Sequence, residues 1–506
     1  MYLYFLLIVF CTIFSCILFV FVYITITKVL YLYVCIMKQP ARNMMSSQDA
    51  CLYSPQDVFQ AWIVNHHISN TAYPIHHAQT INEYRLTTYD DVFSTLKKTR
   101  SSYDTLWLYV HIPFCEHRCA FCEYTVLRSG GTATTQKEIQ STYVDLLLKE
   151  FDLYKNALST QKKTLVWFDI WGWTPSVLSA SDIQCIVKKA KQCFILPKDV
   201  IISIETTPKI AAEEPEKMAA YYKMWIRRIS MGVQTINAKI LALVDRLHTS
   251  VQRNIQAMEN FRQAGFERCN IDVMYGLSWQ QLEDIQATID HVIWLNPEYV
   301  TLYRTRFKGT KIFDQAKEVG LDEVNKQTDL LHDALIKAWY YGIRWKNTYS
   351  RIVDDPGTSD YLTQRVIYGT PYLWLGLGAQ SYNLHTLSYN QWAADKQLAS
   401  YQKDILAWRL PIQDCYSLSV PASIGKFVSV SFYFWGIHMP SFEHHFGCSL
   451  KNYFSDEIAY VIQRGYMEYK EDYLLLTPKG TKVYNGIIAL FYAPAVKHYL
   501  LELATK

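Results

Sequence analysis

Short apolar runs alternate with amphipathic helical stretches from Thr105 onward, and this alternation constrains the fold more than any other feature. Six runs have the length and the β-branched or aromatic content of buried strands. They are residues 106–110, 164–171, 200–206, 227–231, 269–275 and 299–303. Repeated strand–helix units fold as a parallel sheet with right-handed crossovers. We therefore predict an α/β protein built on a partial (βα)6 barrel that resembles an incomplete TIM barrel.

The stretches between these strands have helical periodicity at residues 138–158, 181–194, 251–264 and 281–295. Ser181, which precedes Asp182, is the predicted N-terminal cap of the second of them. The later sequence YLWLGLGAQSY, residues 372–382, is apolar and contains two glycines, so we interpret it as a turn.

The regions on either side of the barrel core, residues 105–345, have different patterns. Residues 41–104 form an N-terminal extension and residues 346–420 a connecting region. Residues 421–506 predict a small, mainly helical domain. Its helix at 454–464 ends at Gly465 and precedes a hairpin that turns at 470–472, which indicates a winged-helix-like module.

The N-terminal segment is strongly hydrophobic. Residues 2–27 contain no charged side chain, and they exceed the roughly 20 residues that a helix needs to cross a bilayer. Lys28, Lys38 and Arg42 follow, so an anchor would leave the body of the protein on the cytoplasmic side. The alternative is that residues 1–40 are an extension of the gene model and that Met44 or Met45 is the first residue.

Composition argues against two classes of protein. A net charge of +4 over 506 residues gives no sign of a nucleic-acid partner. The 12 cysteines are mostly scattered through predicted helices and strands, which is unlike a secreted disulfide framework. We therefore expect a cytoplasmic location for the main body, with membrane attachment only through the N-terminal segment.

Cys115, Cys119 and Cys122 form a C-x3-C-x2-C array directly after the first strand. Active sites of barrels lie at this end of the strands. Structural zinc and the common cubane cluster each take four protein ligands, so three thiolates leave one metal position open for a substrate or cosubstrate. A zinc site with His111 or His117 as fourth ligand remains the alternative.

The array and several later stretches resemble the radical S-adenosylmethionine superfamily. More narrowly they are similar to the oxygen-independent coproporphyrinogen III oxidase family, which includes haem chaperone relatives. The resemblance extends over residues 106–491. The matching stretches are YVHIPFC at 109–115, IE at 204–205, RISMGVQ at 228–234, DR at 245–246, NIDVMYGL at 270–277, LGLGA at 375–379 and LTPKG at 476–480.

The resemblance implies that Cys115, Cys119 and Cys122 hold a [4Fe–4S] cluster whose fourth iron binds S-adenosylmethionine. A low-potential electron donor would reduce the cluster, and cleavage of the sulfonium would yield a 5′-deoxyadenosyl radical. The implied role is a coproporphyrinogen dehydrogenase-like oxidoreductase in porphyrin and haem metabolism, with a porphyrin or haem as ligand. The alternative is a haem chaperone or haem-binding protein that keeps the fold and the cluster without oxidase activity.

Eight further residues match the family's cosubstrate-binding positions. Tyr109 and Phe121 would lie beside the cosubstrate, and Glu205 would contact it. The turn after the second strand would supply Gly172 and Thr174, and the methionine carboxylate and ribose would be surrounded by Gln234, Arg246 and Asp272. Without the family, Asp272 is more readily interpreted as a strand-end cap, and Arg246 as half of an ordinary surface pair with Asp245.

Three positions depart from the family pattern. Trp173 replaces the last glycine of the turn before Thr-Pro, so its indole should stand where the methionine moiety normally lies unless the turn is remodelled. Tyr124 occupies the position of a further cysteine in the oxidases proper, and Gln380 that of a histidine common in the chaperone-like members. The first two departures favour the chaperone-like branch.

Overall fold

The computed structural model describes residues 53–65, 82–101, 103–122, 133–158, 162–307, 309–342, 347–352, 355, 363–391 and 398–505. The predicted membrane segment at 2–27, the basic residues after it, Met44, Met45 and Tyr124 lie outside these ranges. Within them, no helix is both long enough and apolar enough to span a membrane.

The centre of the fold is a sheet of eleven described strands in the order β11-β10-β9-β8-β1-β2-β3-β4-β5-β6-β7. Strands β1 to β6 are parallel neighbours in sequence order, which confirms the six predicted strands and the α/β class. The strand bounds are β1 Thr105–Ile112, β2 Thr164–Gly172, β3 Ile202–Thr206, β4 Ile226–Gln234, β5 Cys269–Tyr275, β6 Tyr299–Arg304, β7 Thr348–Ser350, β8 Tyr372–Leu375, β9 Gln380–Tyr382, β10 Thr386–Asn390 and β11 Ile412–Ser417.

Strand β8 corrects one expectation. The sequence predicted a turn at 372–382, but residues 372–375 pair in parallel with β1, and Trp374 lies opposite Tyr109. The turn begins only at Gly376, whose φ of 108° suits glycine. Strands β9, β10 and β11 then continue as an antiparallel meander, so the region expected to connect two domains supplies one side of the sheet.

Helices cover the outer face of the sheet. Leu106, Leu108 and Val110 of β1 point toward them in the main core, whereas Trp107 and Tyr109 point to the inner face. The helices are α1 Pro55–Val64, α2 Tyr89–Ser101, α3 Ala133–Leu158, α4 Ala180–Cys193, α5 Pro208–Glu213, α6 Pro215–Lys223, α7 Ala238–Leu243, α8 Val251–Ala264, α9 Leu282–Leu295, α10 Leu321–Lys337, α11 Leu398–Leu406, α12 Val420–Ser431, α13 Met439–Phe446, α14 Leu450–Tyr453, α15 Ser455–Gln463, α16 Pro478–Thr481, α17 Tyr484–Leu490 and α18 Pro494–Ala504.

The cap of helix α4 differs from the sequence prediction. Ser179, not Ser181, accepts the amide of Asp182, and the Asp182 side chain accepts the amide of Ser179 in return. A capping box requires the hydroxyl three residues before the acid, and Ser179 has that spacing.

The C-terminal region has its own hydrophobic core. Helix α15 precedes a hairpin of β13 Met467–Lys470 and β14 Tyr473–Leu476, which confirms the predicted helix and wing. Strand β12 Gly436–His438 pairs with β14 and completes a three-stranded sheet. Helix α1 from the N-terminal extension packs here as well, with Phe59 and Trp62 buried in the same core.

Candidate metal centre and cosubstrate pocket

The loop of residues 115–122, the thiol loop, leaves β1 at the C-terminal edge of the sheet. Cys119 is buried, while Cys115 and Cys122 are half-buried. Backbone hydrogen bonds fix the middle of the loop, because Ala120 donates to the carbonyl of Val244 at 2.9 Å and accepts from Lys311 at 3.0 Å. The three thiols are therefore presented by backbone anchored to two other parts of the barrel.

The turn at 171–174 is bound to the base of the thiol loop. A Cβ added to Gly172 would lie 2.6 Å from the carbonyl oxygen of Ile112, so this position requires glycine because of β1 itself. The amide of Trp173 donates to Ile112 at 3.1 Å, and the hydroxyl of Thr174 lies 3.3 Å from the sulfur of Cys115. The half-buried Trp173 ring meets His111 edge-on at 5.3 Å, so its indole lies near the end of β1.

Arg246 and Gln234 form a polar pocket next to Cys119. Arg246 is 8% exposed, and its guanidinium donates to the sulfur of Cys119 at 3.2 Å and to the carbonyl of Gly232. A Cβ at Gly232 would lie 2.8 Å from the Gln234 side chain and 3.0 Å from that of Arg246. The Nε of Arg246 and the Oε1 of Gln234 are buried without a hydrogen-bond partner. Buried polar atoms without partners are costly, so this pocket suits a polar ligand.

Three carboxyl groups surround Arg228 on the inner face below this pocket. Burial raises the pKa of Asp169 and of Asp272 to about 6, and the positive charge of Arg228 opposes both shifts. Burial, followed by the charges of Asp272 and Asp169, raises the pKa of Glu205 well above its usual range, although the amide of Gly172 donates to this carboxyl. Asn270 donates to Asp272 at 2.7 Å and orients it.

Aromatic side chains line the inner face beside the carboxyl groups. Tyr109 stacks on Trp374 with ring centroids 3.9 Å apart, and Trp171 meets Tyr109 edge-on at 6.4 Å. Tyr372 continues the row 5.5 Å from Trp374. We refer to Tyr109, Trp171, Tyr372 and Trp374 as the aromatic row. Stacked rings of this kind offer flat apolar faces to a planar ligand.

Seven of the eight residues that the resemblance assigned to cosubstrate binding lie close to one another or to the thiols. Thr174 and Arg246 reach thiols, Gln234 lies beside Arg246, and Asp272 is close to both Arg246 and Glu205. Glu205 accepts the Gly172 amide, and Tyr109 contacts Trp171 at the start of the turn. Phe121 is the exception, since it packs in a separate apolar cluster with residues such as Ile240 and Phe307.

The structure also decides between the alternative interpretations of Arg246. Asp245 pairs with Lys311 at 2.7 Å on the surface, whereas Arg246 is buried and faces the thiols. Sequence reasoning missed Arg228, Asp169 and Trp374. The alternation of side-chain direction along β2 and β4 would have placed Asp169 and Arg228 on the inner face. It could not have found Trp374, because the sequence predicts a turn rather than a strand there.

Comparisons with known proteins agree on one family. The model of the Radical SAM superfamily matches residues 109–292. The haem chaperone HemW of Lactococcus lactis is 24% identical over 396 residues, which are 76% of this chain and 96% of that protein. An oxygen-independent coproporphyrinogen III oxidase of Cereibacter sphaeroides is 31% identical over 198 residues, 39% of this chain and 41% of that protein. The structure of the Escherichia coli coproporphyrinogen III oxidase HemN aligns with a TM-score of 0.64 at 21% identity, covering 80% of this chain and 93% of that one.

Members of this superfamily bind a [4Fe–4S] cluster and S-adenosylmethionine, and the donors present here fit both. Among the described residues, no three His, Cys, Asp or Glu side chains converge closely enough to hold a single metal ion. A cubane instead takes each thiolate on a different iron, so the sulfurs need not meet at one point. The polar atoms of Arg246 and Gln234 that lack partners lie beside Cys119 and are suited to pair with polar groups of a ligand.

The fold, the thiol loop with its polar pocket and the three comparisons all point to the radical SAM superfamily, and the chain is similar to the HemN coproporphyrinogen III oxidases and the HemW haem chaperones.

Proposed function

We propose that this chain is a radical SAM protein of porphyrin and haem metabolism that acts on a tetrapyrrole inside the barrel. One observation carries the proposal: the aromatic row lies on the same inner face as the polar pocket, so a planar macrocycle stacked there would lie close to the cosubstrate. The likeness to coproporphyrinogen III oxidases and haem chaperones supports this ligand class.

The residues of the pocket would bind and orient the cosubstrate. Arg246 and Gln234 would bind the carboxylate and amine of the methionine moiety, and Asp272 would accept from the ribose hydroxyls. Glu205, whose pKa burial raises well above its usual range, would lie beside the cosubstrate and take part in its hydrogen bonding. When bound, the cluster supplies the electron that cleaves the sulfonium.

Half-buried Arg365 and buried Lys426 would recognise the carboxylates of a tetrapyrrole. The guanidinium of Arg365 lies 4.5 Å from the ring centroid of Tyr372, and the ammonium of Lys426 lies 5.5 Å from that of Tyr382. Lys426 is 5% exposed, and its burial lowers its pKa well below the usual value. A carboxylate beside it would favour the charged form, so the propionates of a porphyrin suit this end of the aromatic row.

The direct test uses anaerobically reconstituted full-length protein. We expect iron and sulfide in a 4:4 ratio per chain, reducibility by dithionite, and 5′-deoxyadenosine formation when S-adenosylmethionine is added. Addition of coproporphyrinogen III should increase this yield and consume the substrate. A loaded cluster that binds no S-adenosylmethionine would contradict the proposal.

A second function, haem carriage without oxidase activity, is favoured by Trp173. Its ring lies against His111 near the end of β1, where the family pattern has a glycine. The haem chaperone of L. lactis also matches over nearly its whole length, whereas the oxidase of C. sphaeroides matches over less than half. Under this alternative the protein binds haem stoichiometrically and leaves coproporphyrinogen III unchanged.

Replacement of Trp173 by glycine distinguishes the two functions. If the indole obstructs the cosubstrate, Trp173→Gly should bind S-adenosylmethionine about tenfold more tightly and produce more 5′-deoxyadenosine. Trp173→Phe, which keeps a ring, is the matched control and should behave like the wild type. Equal binding by all three proteins would show that Trp173 does not restrict the pocket.

We further propose a low-potential one-electron donor as a partner, because reduction of the cluster requires one. The uncharged segment 2–27 would attach the protein to a membrane. Expression of the full chain and of a chain that starts at Met44, followed by membrane fractionation, tests the attachment. Equal distribution of the two proteins would contradict it.

A further inference from the structure

A second cavity, which we call the basic cleft, lies at the opposite end of the barrel from the thiol loop. Its volume is about 360 Å³, within the range of small-molecule sites. It is bounded by Leu106 at the start of β1, by Pro371 just before β8, and by the C-terminal ends of helices α3 and α4. Strand β1 has eight residues, so at about 3.3 Å per residue the cleft lies roughly 20 Å or more from the cysteines.

The lining combines aromatic walls with positive charge. The described residues around the cleft include no aspartate or glutamate. The cations are Arg100, Lys155, Lys162 and Lys163, and the aromatic residues are Tyr103, Tyr154, Phe194, Tyr372 and Tyr382. Lys155 and Lys162 are exposed at the rim, whereas Tyr154 is 1% exposed in the wall. Aromatic walls below a rim of lysines suit a ligand that is flat and apolar at one end and anionic at the other.

Arg100 adds a half-buried positive charge to the wall of the cleft. Its guanidinium lies 5.1 Å from the ring centroid of Tyr154, interacts with the hydroxyl of that residue and reaches Ser388 at 3.4 Å. An anionic group in the cleft would pair with this guanidinium.

We propose that the basic cleft binds an aromatic polyanion, that is, a planar aromatic group that carries two or more phosphates or carboxylates. The ring would pack against Tyr103 and Tyr154, and the anionic groups would reach Lys155, Lys162 and Arg100. The cleft is separate from the polar pocket beside Cys119, although Tyr372 belongs both to its lining and to the aromatic row. The proposal does not rest on the proposed function. Two sources share the chemistry: a nucleoside diphosphate and a porphyrin with propionate groups.

The test is a calorimetric titration of the full-length, cluster-loaded protein with ADP and, separately, with deuteroporphyrin. The variant Lys155→Glu/Lys162→Glu reverses two exposed rim charges, so we expect it to fold. The matched control Lys188→Glu/Lys223→Glu makes the same charge change at exposed lysines that do not line the cleft. Thermal melts of both variants check the fold.

We expect the rim variant to bind one probe at least about tenfold more weakly than the control, with an affinity that falls with salt. Loss of ADP binding would identify a nucleotide, and loss of porphyrin binding a tetrapyrrole. Arg100→Gln, which removes the half-buried guanidinium, should weaken binding of the same probe. If neither probe binds the wild type, or if the rim and control variants bind alike, the proposal is wrong.

Discussion

At the scale of single residues, the polar pocket beside Cys119 is defined by polar atoms that the protein itself leaves without partners. Gln234 shows this most clearly. Its backbone adopts φ 68° at the end of β4, an unusual conformation for a residue with a side chain, and its Oε1 is buried without a donor. Strained residues and unsatisfied buried groups concentrate at functional sites. The conformation of Gln234 therefore supports a binding role more strongly than its sequence position does.

We predict that Gln234→Ala weakens S-adenosylmethionine binding about tenfold while the cluster remains intact, because one polar contact to a charged group is lost. Equilibrium dialysis measures the affinity, and the cluster's visible absorption and EPR signal measure its integrity. Gln286, whose side chain donates to Asp290 on the exposed face of helix α9, provides the control Gln286→Ala. A variant that loses the cluster signal would instead indicate a structural role for Gln234.

Glu150 is a buried acid that connects three elements behind the thiol loop. It accepts from Tyr401 at 2.6 Å, from the amide of Gly376 at 2.7 Å and from Asn390 at 2.8 Å. Burial raises its pKa to about 7. The folded state therefore holds a proton that the unfolded state releases above pH 4.5, so stability falls as the pH rises from about 4.5 to about 7.

Glu150→Gln should remove the part of this pH dependence that Glu150 causes, while the raised pKa values of Asp169, Glu205 and Asp272 leave a slope of the same sign in both proteins. We expect the wild type to lose up to about 3 kcal/mol more unfolding free energy than the variant across that interval. Denaturant midpoints measured between pH 5 and pH 8 give the slope. Asp152→Asn, on the same helix but paired with Lys189 near the surface, should leave the slope unchanged. Parallel slopes in the wild type and Glu150→Gln would exclude Glu150 as the cause.

At the scale of elements, several helices end in an unusual way. Trp339 follows helix α10 in the left-handed conformation at φ 65°, where glycine is the common residue. The amides of Trp339 and Tyr340 donate back to Ile336 and Leu335, so the end is a Schellman motif. Trp435 adopts the same conformation at φ 69°, but it is 4% exposed whereas Trp339 is 84% exposed.

Trp339→Gly and Trp435→Gly form a matched pair. The left-handed conformation costs a residue with a Cβ about 1 kcal/mol. Because the Trp339 side chain is mostly exposed, Trp339→Gly should leave the unfolding free energy unchanged or raise it by up to about 1 kcal/mol. Replacement of Trp435 removes a buried ring and should cost about 3–5 kcal/mol. Chemical denaturation measures both. Equal losses would show that Trp339 packs against something in solution.

Helices and strands could be predicted from the sequence where the hydrophobic period and the residue types indicated the same structure. The sequences of strands β1 to β6 are runs of mainly apolar residues, because both faces of these strands are covered in the fold. Strand β8 was missed because four apolar residues before Gly376 look like part of a turn, and only pairing with the distant β1 makes them a strand. In the same way, the three thiols and Arg246 could be predicted from local sequence motifs. The aromatic row could not, because it depends on contacts between distant residues, such as Tyr109 with Trp374.

At the scale of the whole molecule, the N-terminal extension belongs to the C-terminal core. Helix α1 packs on helices α17 and α18, which lie at the other end of the chain. Gly486 permits this approach, because a Cβ there would lie 2.5 Å from the Trp62 ring and 2.9 Å from that of Phe59. The small C-terminal domain therefore requires residues from the beginning of the described chain.

We predict that Gly486→Ala destabilises the C-terminal region by about 1–3 kcal/mol, because the methyl group overpacks a buried contact. Limited proteolysis should then cut this region faster than in the wild type, and the thermal midpoint should fall. Gly320→Ala is the control, since a Cβ there meets no atom within 4 Å. Unchanged proteolysis would indicate that helix α1 adjusts without cost.

The pairing of β1 with β8 has a consequence for biosynthesis. Strand β1, which carries the thiol loop, has β8 as one of its two neighbours, and the ribosome makes β8 long after β1. The hydroxyl of Tyr143, which accepts from Leu377 beyond β8, also donates to the carbonyl of His111 at the base of the loop. The cysteines therefore acquire their final geometry only when most of the chain has been translated. Until then the nascent polypeptide exposes its thiols, and delivery of iron and sulfide by the assembly machinery is expected to follow synthesis rather than accompany it.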